Sequence, residues 1–159
     1  MMFFKIISIH YGWFEVDFYR RWMLINSDYL GCDAPCLLLE AISDLLENKI
    51  TEAWLCWQDE PGASILNLEK QGDKLVVKIY GTDKESFDLD YSGITLNKHI
   101  TDCLFTQEDD LINLSISIFE EFGLYENGNG RQRYEANWGN FPQQQYNRLK
   151  NIIEQSKQL

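Results

Sequence analysis

The chain has 159 residues, 45% hydrophobic and 14% aromatic, with a formal net charge of −11 at pH 7. This length fits one domain with a sizeable core, so we expect a single domain over residues 1–159. The acidic balance argues against nucleic-acid and anionic-membrane partners, because phosphate recognition depends on Lys and Arg. No run approaches the ~18 apolar residues that cross a bilayer, and Met1–His10 lacks the features of a signal peptide. We therefore expect a cytoplasmic protein with reduced cysteines.

The first quarter of the chain predicts antiparallel strands. Phe14, Val16 and Phe18 alternate with Glu15 and Asp17, which is the period of a half-buried strand. Its neighbours are rich in aromatic and branched residues, as pleated surfaces prefer. The three predicted strands are Phe3–His10, Trp13–Tyr19 and Arg21–Asn26.

One helix is predicted next, followed by more strands. Asp33 is placed to cap a helix that has Pro35 in its first turn and runs to about Glu47. Turn-forming pairs at Pro61-Gly62 and Gly72-Asp73 divide the following segment. The apolar stripe of the predicted helix is formed by Leu38, Ile42, Leu45 and Leu46. The predicted strands are Thr51–Gln58, Ser64–Lys70, Lys74–Tyr80, Phe87–Tyr91 and a weaker Ile94–Lys98.

The last third predicts two helices. Thr106 followed by Asp109 resembles a capping box, and Gly123 is placed to end the first helix. The polar, Gly-rich stretch Glu126–Gly130 predicts a mobile loop, and a final helix begins near Pro142. The buried stripes are Leu111, Leu114, Ile118 and Phe122 for the first helix, and Tyr146, Leu149, Ile152 and Ile153 for the second. The fold class is therefore α+β, with a mostly antiparallel sheet of about six to eight strands and helices packed on one face.

Charge is unevenly distributed along the chain. Between His99 and Gly130 there is no Lys or Arg, while seven residues are acidic. Such a surface can steer a basic protein into contact, because complementary fields raise association rates. For any single residue, the alternative is that it only keeps a helix face solvated. The acidic residues are Asp102, Glu108, Asp109, Asp110, Glu120, Glu121 and Glu126.

Signatures of common catalytic and ligand sites are missing. There is no Gly-rich phosphate loop and no nucleophile elbow. Cys32 and Cys36 have a spacing that opens some zinc sites, yet no second Cys or His pair follows them. We therefore predict no cofactor and no metal. Numerous paired carboxylates leave glycosidase-type chemistry open.

Two tryptophans lie on one predicted strand. Trp54 and Trp57 are three residues apart, so their side chains point to opposite faces of the sheet. One should belong to the core, and the other either packs under a helix or anchors an interface. Trp138 precedes the last helix, and its expected role is to pack that helix onto the sheet.

The run Trp57-Gln58-Asp59-Glu60-Pro61-Gly62, followed by an apolar strand, Gly72-Asp73 and another apolar strand, supports a family resemblance. It resembles small bacterial proteins that are similar to the immunity proteins encoded beside polymorphic toxins. The resemblance implies a protein that binds and neutralises a cognate toxin inside the producing cell. It implies no catalytic residues.

The leading hypothesis is a non-catalytic protein-binding domain whose partner is another protein, with a basic toxin as the favoured example. Alternatives are a small-ligand sensor and an enzyme of unfamiliar type that uses surface carboxylates. The sequence gives no indication of the oligomeric state. The predicted binding residues are Trp57, Asp59, Glu60, Glu108, Asp109, Asp110, Glu120 and Glu121.

Overall fold

The computed structural model describes residues 3–26, 33–58, 62–85, 89 and 95–158. These ranges contain seven strands, four α-helices and a short 3-10 helix at Leu96–Lys98. The strands are β1 (Phe4–His10), β2 (Trp13–Phe18), β3 (Arg21–Asn26), β4 (Glu52–Gln58), β5 (Ala63–Gln71), β6 (Lys74–Thr82) and β7 (Ile100–Asp110). The helices are α1 (Ala34–Leu46), α2 (Leu111–Gly123), α3 (Gly128–Asn137) and α4 (Gln143–Ser156).

The strands form two antiparallel sheets, in the orders β1-β2-β3 and β4-β5-β6-β7. The α+β class and the antiparallel pairing are confirmed. The prediction of a single sheet with six to eight strands is only partly right, because the seven strands are divided between two sheets. The chain passes through α1 between β3 and β4, so no hairpin joins them, although the two strands lie in contact.

The two sheets share one hydrophobic core. Alternation in the strands turns one set of side chains inward, and α1 and α2 cover that side through contacts with β4 and β1. The helix α4 packs on α1 and α2, and α3 contacts β1. Among the fully buried side chains are Phe4, Phe14, Phe18, Trp57, Leu38, Leu39, Ile42, Leu45, Phe122 and Tyr134.

Helix α1 forms as predicted, and the helix α4 begins beside Pro142 as expected. Asp33 caps α1 by accepting a hydrogen bond from the Cys36 backbone N–H at 3.1 Å. Arg148 of α4 joins the two helices, with its Nη2 at 2.6 Å from Asp44 Oδ1 and at 3.1 Å from Glu47 Oε2. These local start signals and the cross-helix ion pairs fix α4 against α1.

The predicted start of the next helix is wrong. Thr106 and Asp109 lie in β7, and α2 begins only after Asp110, which accepts hydrogen bonds from the backbone N–H groups of Ile112 (3.1 Å) and Asn113 (3.3 Å). Pairing with β6 outweighs the local capping pattern, because each residue from 105 to 110 has a partner in the β6 ladder. The predicted apolar stripe of this helix is confirmed, since its four members are buried.

Two other predictions are corrected and one is not covered. The predicted strand Ile94–Lys98 is wrong in its described part: Leu96–Lys98 form a 3-10 helix, because the N–H groups of Lys98 and His99 bond within this turn, to the carbonyls of Thr95 and Leu96. Leu96 is buried in a second cluster on the outer side of the larger sheet. The predicted loop Glu126–Gly130 runs into α3, which begins at Gly128. The predicted strand Phe87–Tyr91 lies outside the described residues except for Leu89, which is buried in the same cluster.

Both hairpins of the three-stranded sheet have tight turns with left-handed backbones. Tyr11 and Gly12 have φ of 47° and 80°, and Tyr19 and Arg20 have φ of 54° and 65°. Positive φ at both positions matches the strand twist but costs a bulky residue about 1 kcal/mol or more. Tyr19 is held in place by contacts with β7, since its hydroxyl donates to Asp109 Oδ2 at 3.0 Å and its ring stacks on Phe105.

Candidate protein-binding surfaces

The outer side of the three-stranded sheet carries large exposed side chains. Trp22 on β3 is 67% exposed, Ile7 on β1 is 45% exposed, and Trp13 on β2 is half-buried. Tyr11, in the bordering turn, is 85% exposed. We call these four residues the aromatic face. The register places Trp22 near the β2–β3 turn and Tyr11 at the opposite end of the sheet, in the β1–β2 turn. Exposed tryptophan and tyrosine side chains are enriched among the interface residues that dominate affinity.

A carboxylate without a donor lies beside the exposed indole. Asp17 is the cross-strand partner of Trp22 on β2 and β3, and Lys5 lies opposite Asp17 on β1. The Oδ1 atom of Asp17 is buried and has no hydrogen-bond partner among the described residues. A buried acceptor without a donor costs about 1–3 kcal/mol. Because Oδ1 has almost no accessible surface, a donor from outside can approach only the rest of this partly exposed carboxylate.

Sequence reasoning missed the aromatic face. The alternation of β2 indicated that Glu15 and Asp17 point away from the core, but the arginine-flanked Trp22 was assigned only to a strand. The available signal was the register: a strand that follows β2 through a two-residue turn places Trp22 opposite Asp17. That register puts Trp22 on the solvent side.

The predicted acidic residues do not act as one surface. Glu108 on β7 and Glu120 on α2 are exposed and make no internal hydrogen bond through their carboxylates in the described structure. Asp109 accepts the hydroxyl of Tyr19, and Asp110 caps α2. Glu121 accepts the backbone N–H of Ile6 at 2.9 Å. Of the five predicted binding residues on β7 and α2, three therefore stabilise the fold through their carboxylates: Asp109, Asp110 and Glu121.

The turn motif and its tryptophan have a structural role where they are described. Trp57 is 1% exposed and its ring contacts Phe18 edge to face at 6.2 Å between centroids, so it cannot serve as a surface anchor. Trp54 points to the opposite face, as predicted, and stacks on Tyr80 in the outer cluster. Asp59 and Glu60 lie outside the described residues.

The outer strands of the two sheets differ in how their free edges are covered. Side chains of α2 close the free edge of β1: Ser117 Oγ accepts from the Phe4 N–H at 3.1 Å, and Glu121 accepts from the Ile6 N–H. The strands β3 and β4 lie in contact. At the other end, β7 pairs only with β6 among the described residues, and its residues 101–104 and 106–108 are exposed. Within the described part of the chain, the second edge of β7 therefore has no strand beside it.

A polar cluster lies at the start of α1. Asp33 Oδ1 accepts the indole N–H of Trp138 at 3.2 Å as well as the Cys36 N–H, and burial raises the pKa of Asp33. Burial, with the charges of Asp33 and Glu40, raises the pKa of the Cys36 thiol to about 12. Burial also raises the pKa of Tyr134, whose hydroxyl has no partner among the described residues. The Cys36 thiol stays protonated at neutral pH and is a poor nucleophile.

One cleft brings two carboxylates together. It has a volume of about 800 Å³ and lies between the end of α1, the β5–β6 turn and the start of α2, with Asp73, Asp110 and Lys70 in its lining. Lys70 Nζ donates to Leu45 O at 2.9 Å and to Asn48 Oδ1 at 2.7 Å, and Asp110 caps α2. Two of the three charged groups are therefore engaged in holding helix ends.

In the described part of the chain, no group of three or more His, Cys, Asp or Glu side chains is arranged to hold a metal ion. Cys36 and Cys103 are free thiols. No helix within the described ranges has the length and apolar character needed to span a bilayer.

Comparison with family models, with curated proteins and with solved structures finds no match.

Proposed function

We propose that this chain is a protein-binding domain that holds a basic protein partner on its aromatic face. The observation that carries the proposal is the exposed indole of Trp22 next to the Asp17 carboxylate. An Arg or Lys side chain of the partner can lie over the indole and donate to the carboxylate. A cation over an indole contributes about 0.5–2 kcal/mol, and a charge-assisted hydrogen bond to the carboxylate adds to it.

The net charge gives this surface a long-range role. A chain with a net charge of −11 attracts basic proteins over a distance of about 8 Å at physiological salt, which is the screening length. Attraction at this range raises the association rate, whereas buried aromatic anchors slow dissociation. Exposed Glu108 and Glu120 belong to the attracting charge, and Trp22 belongs to the anchor.

We propose further that the partner is a toxin and that binding neutralises it in the cytoplasm of a bacterial producer. This finer step is supported by the resemblance of residues 57–62 to immunity-type proteins and by the acidic charge, which suits a basic toxin. Neutralisation requires only that the bound domain cover or distort the toxin's active surface, so the domain needs no catalytic group of its own.

The test is co-expression with the product of the neighbouring gene, scored by growth and by recovery of a complex in size-exclusion chromatography. Rescue by the wild-type chain is expected. Trp22→Ala should weaken the complex by about 30-fold, the effect of losing about 2 kcal/mol at an interface anchor. Asp17→Asn should weaken it as well, and high salt should slow association.

The matched control is Leu124→Ala. Leu124 is 65% exposed and Trp22 is 67% exposed, but Leu124 lies just beyond α2 and is not one of the four residues of the aromatic face. It should bind and rescue like the wild type. Equal complexes from Trp22→Ala and Leu124→Ala, with both variants folded, would overturn the assignment of the aromatic face. Absence of any toxic neighbour or protein partner would overturn the proposed function itself.

A further inference from the structure

The strand β7 is a second candidate binding surface, separate from the aromatic face. It has 11 residues and pairs on one side only, with β6, among the described residues. An unpaired strand edge is a template for another strand, and natural proteins usually shield it. Side chains of Ser117 and Glu121 shield the edge of β1, whereas no described residue shields the edge of β7 in this way.

The hydrogen-bond register identifies which backbone groups of β7 are open. The Leu111 N–H donates to Asp73 O at 3.0 Å, and residue 110 lies opposite residue 74. Because bonded and non-bonded pairs alternate along an antiparallel ladder, Gln107 and Asp109 direct their backbone groups toward β6. Thr106 and Glu108 consequently direct theirs toward the open edge. The carbonyl of Glu108 accepts from its neighbour Gln107 Nε2 at 2.9 Å, so the Thr106 groups and the Glu108 N–H are the outward groups without a partner among the described residues.

The charge of β7 determines which strand fits. Asp102 and Glu108 are exposed on this strand, and the sequence from His99 to Gly130 contains no Lys or Arg. Two copies of β7 side by side would place acidic side chains against each other, which disfavours pairing between copies. A basic strand would place opposite charges across the same ladder.

We propose that β7 accepts an extended basic segment of a partner protein as an added antiparallel or parallel strand. Main-chain hydrogen bonds to Thr106 and Glu108 supply the affinity, and the exposed carboxylates select Lys and Arg over Glu and Asp. The inference shares with the proposed function only the basic character of the partner. It depends on β7 and not on Trp22.

The experiment uses the full chain and a short synthetic peptide of alternating Lys and Val, with the same peptide carrying Glu in place of Lys as its control. Binding of the Lys peptide is measured by fluorescence anisotropy, and backbone amide exchange is followed by NMR. We expect the Lys peptide to bind, the Glu peptide not to bind, and the amides of Thr106 and Glu108 to gain protection. The amide of Gln107, already bonded to β6, should not change.

Proline substitutions separate backbone pairing from charge attraction. Thr106→Pro removes an outward N–H and should leave the β6–β7 ladder intact, lowering peptide affinity about tenfold or more through lost main-chain bonds. Gln107→Pro removes a ladder bond and should destabilise the fold. Leu124→Ala, which belongs to neither surface, should bind the peptide like the wild type.

Two outcomes would overturn the inference. One is equal affinity of wild type and folded Thr106→Pro for the Lys peptide, which would mean attraction by charge alone. The other is no peptide binding, or binding without protection of Thr106 and Glu108. The exchange measurement on the wild type decides the question if Thr106→Pro does not fold. Loss of toxin binding in Trp22→Ala with peptide binding unchanged would separate the two surfaces.

Discussion

Gly130 gives the sharpest test of the packing around α3, because two effects predict opposite signs. A Gly in a helix interior is about 0.5–1 kcal/mol less favourable than Ala, so helix propensity alone predicts that Gly130→Ala stabilises the protein. In the folded structure, however, a β-carbon at residue 130 would overlap the backbone carbonyl oxygen of Leu124. That oxygen belongs to the main chain, so it cannot move away like the end of a flexible side chain.

We expect the steric effect to win. Overpacking against backbone costs about 1–3 kcal/mol, which exceeds the gain in helix propensity. A net loss of about 1–2 kcal/mol would lower the melting temperature by roughly 2–8 °C for a chain of this size. Urea denaturation followed by circular dichroism measures the difference directly.

Gly139→Ala is the matched control. Gly139 lies in the connection before α4, its added β-carbon would meet nothing within 4 Å, and its backbone φ is not in the left-handed region. This variant should be as stable as the wild type or slightly more stable, because Ala reduces the freedom of the unfolded chain. A Gly130→Ala protein more stable than the wild type would refute the reasoning, since it would mean that the Leu124 carbonyl moves at little cost.

Three further predictions concern the core, an ion pair and the thiols. Trp57→Ala should cost about 3–5 kcal/mol of unfolding free energy, since the side chain is fully buried; a loss below about 1 kcal/mol in urea titrations would contradict its core position. Hydrogen bonds from Arg148 and then Lys49 lower the pKa of Glu47 from its ordinary 4.5 to about 2. Folding therefore favours the charged form of Glu47. Its contribution to the free energy of unfolding is present above pH 4.5 and is lost as the pH falls toward 2. Arg148→Gln should lower the urea midpoint at neutral pH, and the difference from the wild type should shrink over that window; a pH-independent difference would count against this pair. Iodoacetamide at neutral pH should modify exposed Cys103 much faster than Cys36, whose thiol has a pKa near 12, as read by peptide mass spectrometry.

Local signals were sufficient for much of the fold. Asp33 with Pro35 predicted the start of α1 because capping and proline placement involve only neighbouring residues. The alternation of β2 and the turn at Gly72-Asp73 predicted strands and hairpins for the same reason. Each of these features is decided within a few residues of the chain.

The same local reasoning failed where distant pairing competes with it. Thr106 and Asp109 have the spacing of a helix start, yet both residues pair with β6 and belong to β7. The glycine-rich composition around Gly128 and Gly130 predicts a loop, but both residues lie in α3. Gly130 packs closely against the Leu124 backbone, where a β-carbon would not fit. In both cases the competing partner is more than a few residues away and does not appear in the local pattern.

The sequence by itself determined the fold class, the antiparallel pairing, the acid excess and the opposite orientations of Trp54 and Trp57. Only the tertiary structure decided that Trp57 is the buried one, that Trp22 lies exposed, and that α2 covers the edge of β1 while β7 has β6 as its one strand partner in the described ranges. Periodicity specifies that a strand has two faces, but burial of either face depends on which elements pack against it. That choice is made by contacts between residues far apart in the chain, and it is the choice that creates the candidate binding surfaces.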